Sequence, residues 1–296
     1  MKKYGINKES CKKFVEVRKE GLAYKVQSLK NTPSLHIIQV GDNPASNKYV
    51  GGKIKDCKDV GVKTVLHKYS EETTTDELCY LIRTLMRHNG WTYSADGVIV
   101  QLPLPKHINE KEITNEILKD RDVDGFKVDS MFTPCTPKGI IDYLNFVDYD
   151  FEGKIAVVIG RSEIVGKPMV DLLRDRNCTV INCHSKTRVE DMKNLCKQAD
   201  LIVSAAGVPN LITKEFVNSE KMQVLIDVSI NFNEEGKMCG DAHPEIYDCD
   251  SIECTPVPGG VGLLTRMALV ENTVISASVR EEMYYGADEA NVMEAY

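Results

Sequence analysis

Short apolar runs alternate with longer amphipathic segments over the first half of the chain. The apolar runs have the length and bounding turn residues of strands, and the amphipathic segments have the spacing of helices with one buried face. The predicted strands cover residues 34–40, 63–69 and 97–101, and the predicted helices cover residues 8–31, 45–59 and 75–88. Because strand and helix alternate, we predict parallel strands joined by right-handed crossovers.

The second half of the chain shows another α/β pattern, after a helical linker at residues 137–146. Its predicted strands cover residues 155–159, 178–183, 201–205 and 224–228, and a last helical segment covers residues 264–283. We therefore predict two α/β domains, the second of them a Rossmann-like doubly wound parallel sheet. The predicted limits are residues 1–136, completed by a C-terminal helix at 264–285 that returns to this first domain, residues 137–263, and a loose tail at 286–296.

One strand-to-helix junction has features of a phosphate-binding turn. The apolar run 155–159 ends in Gly160, and Gly166 and Pro168 open an amphipathic segment after a short polar turn. A buried strand that leads into a helix N-terminus in this way can bind a phosphate of a dinucleotide. The Gly-x5-Gly spacing is less specific than Gly-x-Gly-x-x-Gly, so an ordinary strand–loop–helix unit is the alternative.

The loop after the next predicted strand favours NADP as the dinucleotide. Ser185, Lys186 and Arg188 follow that strand, and neither the strand nor this loop contains an acidic residue. NAD sites usually place an acid here for the ribose 2′-hydroxyl, whereas a hydroxyl and cations suit the 2′-phosphate of NADP. Arg161, in the first turn, is a further candidate for this phosphate, and a solvated loop is the alternative for Lys186 and Arg188.

Composition and charge exclude several classes of protein. The 296 residues are 42% hydrophobic and 27% charged, with a formal net charge of −7, which disfavours a nucleic-acid surface. No apolar run approaches the roughly 18 residues of a membrane span, and no apolar signal core follows the N-terminus, so we expect a cytoplasmic protein without a membrane span. The ten cysteines include no Cys-x-x-Cys pair, so reduced thiols are expected rather than a metal site.

Polar residues in the first half collect where the predicted strands end. Tyr49 and Lys53 share one helix face, Gln101 ends a strand, and Asp124 lies beside the turn at Gly125. Ligands of open parallel sheets lie beyond the carboxyl ends of the strands, so these residues are candidates for one site. Each also has an ordinary alternative, respectively an interface residue, a solvated lysine, a strand-end cap and a turn-stabilising acid.

Seven motifs in order give the chain a resemblance to one family. They lie at residues 40–46 with Tyr49 and Lys53, and at 100–105, 122–126, 134–137, 160–168, 183–185 and 256–262. With them, residues 34–272 resemble the bifunctional methylenetetrahydrofolate dehydrogenase/methenyltetrahydrofolate cyclohydrolase family. The resemblance implies oxidation of 5,10-methylenetetrahydrofolate to 5,10-methenyltetrahydrofolate with NADP, and hydrolysis of the product to 10-formyltetrahydrofolate in one-carbon metabolism. It also implies a homodimer, and it makes the first domain the folate-binding one and the second the NADP-binding one.

The resemblance assigns roles to individual positions. It makes Lys53 the catalytic lysine, Gln101 the residue that orients this lysine, Tyr49 the ring that packs over the folate, and Asp124 the carboxylate that holds the pterin. It places further substrate contacts at Val100, Leu102, Pro258, Gly259 and Gly260. It places NADP contacts at Gly160, Arg161, Ser162, Ser185 and Ile230.

Three departures from the family pattern accompany this match. Ser229 stands where the family usually has glycine, which we expect to crowd the nicotinamide pocket or to tilt its loop. Lys127-Val128 replaces His-Pro, which bears on the linker geometry, and Leu263-Leu264 replaces Pro-Met, which we expect to loosen a turn. The competing interpretations are a monofunctional dehydrogenase of the same fold and a non-catalytic NADP-binding or assembly protein.

Overall fold

The computed structural model describes residues 3–86, 95–233 and 235–293, with side chains up to residue 283. The contacts divide the chain into two units. The three-stranded unit comprises residues 17–135 and 266–296, and the five-stranded unit comprises residues 1–16 and 136–265. Within the described ranges, no helix combines the length and the apolar character needed to span a bilayer.

The three-stranded unit is built on a parallel sheet in the order β2-β1-β3. Its strands are β1 (Ser34–Val40), β2 (Lys63–Tyr69) and β3 (Gly97–Val100). Its helices are α2 (Pro44–Val60), α3 (Thr75–Leu85) and α4 (Glu110–Glu116), together with parts of α1 (Lys8–Ser28) and α8 (Val261–Met293). The sheet and helices α3 and α4 enclose an apolar core that includes Ile38, Leu78, Ile82 and Ile113, all fully buried.

The five-stranded unit is a doubly wound parallel sheet in the order β10-β7-β6-β4-β5. Its strands are β4 (Ile155–Ile159), β5 (Thr179–Cys183), β6 (Leu201–Ser204), β7 (Gln223–Asp227) and β10 (Ile252–Cys254). Helices α5 (Cys135–Phe146), α6 (Gly166–Arg174) and α7 (Val189–Gln198) and the antiparallel pair β8 (Asn231–Phe232) and β9 (Met238–Cys239) complete the elements. The strand order reverses at β4, because β5 lies on one side of it and β6 on the other.

The prediction of two α/β domains is confirmed. The residue limits of the two units differ in detail from the predicted domain limits. Residues 1–16 group with 136–265, whereas the sequence suggested that they belong to the first domain. Helix α8 begins at Val261 and continues to Met293, so the segment from 286 onward, predicted to be loose, is helical as far as the structure describes it. Residues 294–296 and the predicted helix end near 88 lie outside the described residues.

Candidate functional site

Helix α2 places Lys53 in the interior of the three-stranded unit. The helix begins at Pro44 behind the N-cap Asn43, whose side chain accepts hydrogen bonds from the backbone N–H groups of Ala45 and Ser46. Lys53 lies three turns further on and is only 4% exposed. A buried ammonium must be hydrogen-bonded or paired, and here polar groups from two other segments approach it.

Gln101 supplies the first of these groups. It follows β3, and its backbone N–H donates to the carbonyl of Ile38 at 2.8 Å, which fixes the residue to the sheet. The Lys53 Nζ donates to the Gln101 Oε1 at 3.2 Å, while the Gln101 Nε2 donates to the carbonyl of Leu102 at 2.6 Å. The second bond fixes the orientation of the amide, so its oxygen faces the lysine.

Asp124 supplies the second group. Its Oδ2 lies 3.9 Å from the Lys53 Nζ, and the lysine lies over the Tyr49 ring at 5.2 Å from the ring centroid. The turn requires glycine at the next position, because Gly125 has a φ of +73° and a Cβ there would meet the Phe132 carbonyl oxygen at 2.7 Å. The structure therefore brings together the four residues for which the resemblance implied catalytic roles.

Asp122, two positions earlier, serves the turn itself. Its Oδ2 accepts the backbone N–H of Lys127 at 2.8 Å, and burial raises the pKa of this carboxyl. Among the residues that the structure describes, no hydrogen bond joins the Asp124 carboxylate to the turn backbone. Asp122 thus performs the structural role that was the alternative for Asp124.

The substitution at Lys127 has a local explanation. Its Nζ donates to the carbonyls of Asn115 at 3.1 Å and Ile117 at 3.0 Å, at the end of α4. A cation is favourable there because helix C-termini present unpaired carbonyl groups. Val128 is fully exposed, so its side chain does not constrain the geometry of the linker.

A small cleft of about 10 Å³ lies beside Asp124 in the same unit. Val100, Leu102 and Asp124 line it, together with apolar side chains such as Phe126 and further acidic side chains such as Asp122. Three predicted substrate-contact residues therefore line one cleft. Its lining combines apolar side chains with carboxylates that can accept hydrogen bonds from the donor groups of a ligand.

In the five-stranded unit, the predicted phosphate turn lies at the strand-order reversal. Gly160 follows β4 with a φ of +125°, and a Cβ at this position would strike the carbonyl oxygen of Ala205. A Cβ at Gly166 would strike the carbonyl oxygen of Gly160, so the start of α6 packs directly on the turn. Ligands of doubly wound sheets bind at this reversal, next to the turn that these two glycines allow.

The remaining predicted cofactor residues surround this turn. Arg161 and Ser162 are exposed within it, and the Ser162 Oγ accepts the N–H of Gly166 at 3.3 Å. Ser185 is exposed after β5, the strand that pairs with β4. Ile230 is half exposed after β7, three residues beyond the strand end.

The cationic side chains near β5 differ in whether they are paired with an acidic side chain. Arg188 forms a bidentate pair with Asp191 at 2.6 and 3.2 Å, in the first turn of α7. Arg161 and Lys186 form no ion pair with the residues that the structure describes. The fold therefore leaves these two cations available for a ligand, while Arg188 is engaged with α7.

Two buried aspartates of this unit escaped the sequence analysis. Asp227 ends β7 and accepts the N–H groups of Asp241 and Ala242, each at 2.9 Å, and burial raises its pKa to about 6. Asp241 is fully buried, and Ser229 donates a hydrogen bond to it at 2.9 Å. Asp227 lies at the end of the predicted strand 224–228, where the sequence indicates only a strand residue, and Asp241 lies in a segment without a periodic apolar pattern.

The glycine-rich segment follows β10. Pro258, Gly259 and Gly260 lie in the five-stranded unit, directly before α8. The turn is not loosened by Leu263, because its N–H donates to the carbonyl of Gly260 at 2.9 Å. Proline, which the family usually has at this position, has no N–H for that bond.

No cluster of three or more metal-ligating side chains occurs among the residues that the structure describes.

Known proteins resemble this chain in sequence and in structure. Residues 9–124 match the catalytic domain of tetrahydrofolate dehydrogenase/cyclohydrolase, and residues 134–281 match the NAD(P)-binding domain of the same enzyme. The bifunctional protein FolD of Agathobacter rectalis is 41% identical over 278 residues, which cover 91% of this chain and 94% of that protein.

Two solved structures share the whole architecture. The bifunctional FolD methylenetetrahydrofolate dehydrogenase/cyclohydrolase of Campylobacter jejuni is 41% identical, with a TM-score of 0.84 over 92% of this chain and 98% of that one. The Trypanosoma brucei enzyme, complexed with NADP and an inhibitor, is 26% identical, with a TM-score of 0.81 over 93% of this chain and 97% of that one. The chain therefore belongs to the tetrahydrofolate dehydrogenase/cyclohydrolase family.

Proposed function

We propose that Lys53, held between Gln101 and Asp124, is the proton-transferring group of a bifunctional enzyme. The enzyme oxidises 5,10-methylenetetrahydrofolate with NADP and hydrolyses the resulting 5,10-methenyltetrahydrofolate to 10-formyltetrahydrofolate. The observation that carries the assignment of Lys53 is its burial at 4% exposure, with the Gln101 oxygen at 3.2 Å and the Asp124 oxygen at 3.9 Å. A non-catalytic binding protein has no need of a buried ammonium in this setting.

In the oxidation, the protein's contribution is positioning. The product is a resonance-stabilised methenyl cation, so the methylene carbon loses a hydride and no proton has to be removed. Asp124 accepts hydrogen bonds from the amino group and ring N–H of the pterin, and the Tyr49 ring packs over the folate. NADP, when bound, accepts the hydride, and orientation of the two reactants supplies most of the rate enhancement.

In the hydrolysis, protons have to move. A water oxygen forms a bond to the methenyl carbon and gives up both of its protons, the first on addition and the second as the formyl C=O bond forms. The bond from this carbon to N5 breaks, and N5 takes up one proton. Lys53 serves as the acceptor and donor of these protons, and the overall reaction releases one proton to solvent. Gln101 keeps the lysine amine directed at the reacting atoms through its 3.2 Å hydrogen bond.

The five-stranded unit fits NADP. A side chain on Gly160 or Gly166 would collide with the backbone of Ala205 or of Gly160, so the turn where the pyrophosphate is expected requires both glycines. Ser162 and Ser185 are exposed after β4 and β5. Arg161 and Lys186 supply the positive charge for the 2′-phosphate, and the backbone at Ile230 contacts the nicotinamide end. Pro258, Gly259 and Gly260 remain predicted contacts of the aminobenzoyl part of the folate, as the family resemblance implies.

We also propose that the enzyme works as a cytoplasmic homodimer, as its family resemblance implies. Sedimentation equilibrium of the purified protein measures this directly. A mass of about one 33.1 kDa chain at all concentrations would contradict the dimer without affecting the proposed chemistry.

The assignment of Lys53 is tested by Lys53→Met, which keeps the length of the side chain and removes its proton chemistry. We expect hydrolysis of methenyltetrahydrofolate, followed by the decay of its absorbance, to fall by about 100-fold or more. Affinity for NADP and the melting temperature should stay close to the parent values. Lys55→Met, at an exposed position of the same helix, is the control. Hydrolysis at the parental rate in Lys53→Met would show that the assignment is wrong.

A further inference from the structure

Asp241 joins two loops of the five-stranded unit through one buried carboxylate. Its Oδ2 accepts hydrogen bonds from Ser204 Oγ at 2.7 Å, Ala206 N at 2.8 Å and Ser229 Oγ at 2.9 Å. Its Oδ1 accepts hydrogen bonds from Val208 N and Asn231 Nδ2, both at 3.0 Å. We call this set the Asp241 cluster.

The cluster needs a carboxylate at position 241. All of its partners are donors, and an ionised aspartate accepts on both oxygens, whereas asparagine would direct an NH₂ group at other donors. The side chain is fully buried, and no cation of the described part of the chain forms an ion pair with it. Its charge is therefore stabilised by hydrogen bonds alone, which are stronger when the acceptor is ionised.

The loops that Asp241 joins lie at the carboxyl ends of neighbouring strands. The first loop, residues 205–208, follows β6, and the second, residues 228–231, follows β7. Ile159 is in register with Ser204, and Ser204 with Asp227, so β4, β6 and β7 end side by side. The first loop also touches the phosphate turn, because the Ala205 N–H donates to the carbonyl of Ile159 at 2.8 Å.

These positions determine which half of the cofactor the cluster faces. On the proposed function, the pyrophosphate lies at Gly160 and the adenosine lies beyond β5, where Ser185 and Lys186 follow the strand. The nicotinamide half then extends over the other side of the reversal, beyond β6 and β7. The Asp241 cluster is built into the two loops on that side.

We propose that Asp241 is a positioning residue for the nicotinamide, and that Ser229 is the part of its cluster that distinguishes this chain from the usual family pattern. The Ser229 hydroxyl accepts the N–H of Gly207 at 3.0 Å while it donates to Asp241, so it bridges the two loops. Glycine, usual at this position, has no side chain for such a bridge. Ser229 does not have a positive φ, so the serine fits without backbone strain.

The Ser229 bridge between the two loops predicts that its loss weakens binding of the nicotinamide half of NADP and leaves binding of the adenosine half unchanged. Ser229→Ala removes the hydroxyl and keeps a Cβ, and Ser229→Gly restores the usual family residue. We expect both variants to weaken NADP binding by about threefold to tenfold, because each loses a hydrogen bond to a buried carboxylate. Binding of adenosine 2′,5′-bisphosphate, which lacks the nicotinamide half, should not change.

The experiment measures the dissociation constants of NADP and adenosine 2′,5′-bisphosphate by calorimetry for the parent, the two Ser229 variants and Asp241→Asn. Ser278→Ala, which removes a serine hydroxyl bonded to the Val274 carbonyl in the other unit, is the control. Hydrolysis of methenyltetrahydrofolate without NADP is recorded for each variant and should be unchanged in the control Ser278→Ala.

The outcomes separate the two proposals. A selective loss of NADP affinity in the Ser229 variants supports the positioning role, even where Asp241→Asn does not fold. Equal weakening of both ligands, or no weakening of either, overturns it. A parent protein that binds NADP but neither oxidises nor hydrolyses folates would instead refute the proposed function, and the ratio of the two dissociation constants would still test Asp241.

Discussion

Asp122 and Asp124 lie two positions apart in one turn. Among the described residues, the Asp122 carboxylate accepts a hydrogen bond from the Lys127 N–H of this turn, and the Asp124 carboxylate accepts none from the turn backbone. We therefore predict that Asp124→Asn impairs folate binding and both activities, because the new NH₂ group would face donors of the pterin. A mismatched hydrogen bond of this kind costs about 1–3 kcal/mol, so affinity should fall by about fivefold to 100-fold. Binding titrations with a folate analogue measure this, and the melting temperature should stay near that of the parent.

Asp122→Asn is the matched control for that experiment. It should lower the melting temperature, because it removes acceptor capacity from a buried group that holds the turn backbone. An Asp124 variant that melted early yet bound the folate analogue normally at low temperature would show that Asp124 is structural.

The preference for NADP over NAD is a second prediction at the residue level. Lys186→Ala and Arg161→Ala should each raise the KM for NADP about tenfold, because a charge-assisted hydrogen bond to the 2′-phosphate is typically worth about 1.5–3 kcal/mol. The KM for NAD should change little in both variants. Arg188→Ala serves for comparison, since its guanidinium is already paired with Asp191. Equal losses with both cofactors would mean that these cations do not recognise the 2′-phosphate.

Individual residues were predictable to different degrees. Lys53 and Tyr49 follow from helical spacing, and Gln101 from its place at a strand end, with the resemblance supplying their roles. Asp241 could not be found in this way, because a fully buried acid and a solvated one look alike in a sequence. The importance of Asp241 comes from donors on two separate segments, which only the folded chain brings together.

At the scale of elements, β1 and β2 carry a pair of histidines that makes their packing sensitive to pH. His36 Nδ1 and His67 Nε2 lie 3.0 Å apart, and the rings stack with centroids 5.1 Å apart. Burial lowers the pKa of His67 below its ordinary value of 6.5. The unfolded chain therefore takes up this proton at a higher pH than the folded one does.

The lowered pKa of His67 determines how the stability of the protein depends on pH. The contribution of His67 to stability is fully present above about pH 6.5 and is lost as the pH falls through the lowered folded value. We predict that the free energy of unfolding in urea falls between pH 7.5 and pH 5.5, and that His67→Gln makes this fall smaller. A variant whose stability fell as steeply as that of the parent would show that other groups control the pH dependence.

Strands of four or more residues were predictable from the sequence, and shorter strands were not. The predicted limits of β1 and β2 agree with the structure, because each strand is seven residues long and is bounded by turn residues. Strand β10 has three residues, and β8 and β9 have two each, so they contain too few positions to show a period. Their existence depends on pairing with β7 or with each other.

At the scale of the whole molecule, the chain enters each unit twice. Residues 1–16 join the five-stranded unit, where Glu253 accepts the N–H groups of Tyr4 and Gly5 at 2.7 and 2.6 Å. The sequence placed these residues in the first domain, because proximity along the chain was its only guide to their partners. When one carboxylate on β10 accepts hydrogen bonds from the backbone N–H groups of a distant segment, the sequence shows no periodic pattern that would predict the contact.

The last passage of the chain from one unit to the other, near the start of α8, gives a prediction for the whole chain. From Arg266 onward this helix belongs to the three-stranded unit, where the Arg266 Nε donates to Asp56 Oδ2 at 2.6 Å and Asn272 Nδ2 donates to the carbonyl of Val123 at 2.9 Å. Met267, Leu269, Val270 and Val274 are all buried. Burial of each such side chain is worth about 1.5–3 kcal/mol, so together they rival the roughly 5–15 kcal/mol that stabilises a typical domain.

A protein that ends at Thr265 should therefore lose the three-stranded unit and keep the five-stranded one. We expect it to have no measurable hydrolysis of methenyltetrahydrofolate and to bind adenosine 2′,5′-bisphosphate within about threefold of the parent affinity. Hydrogen exchange should show the backbone of β1 and β3 unprotected and that of β4 and β6 protected. A truncated protein that still hydrolysed its substrate would show that the three-stranded unit holds together without α8, and complete loss of nucleotide binding would show that the two units fold only as one.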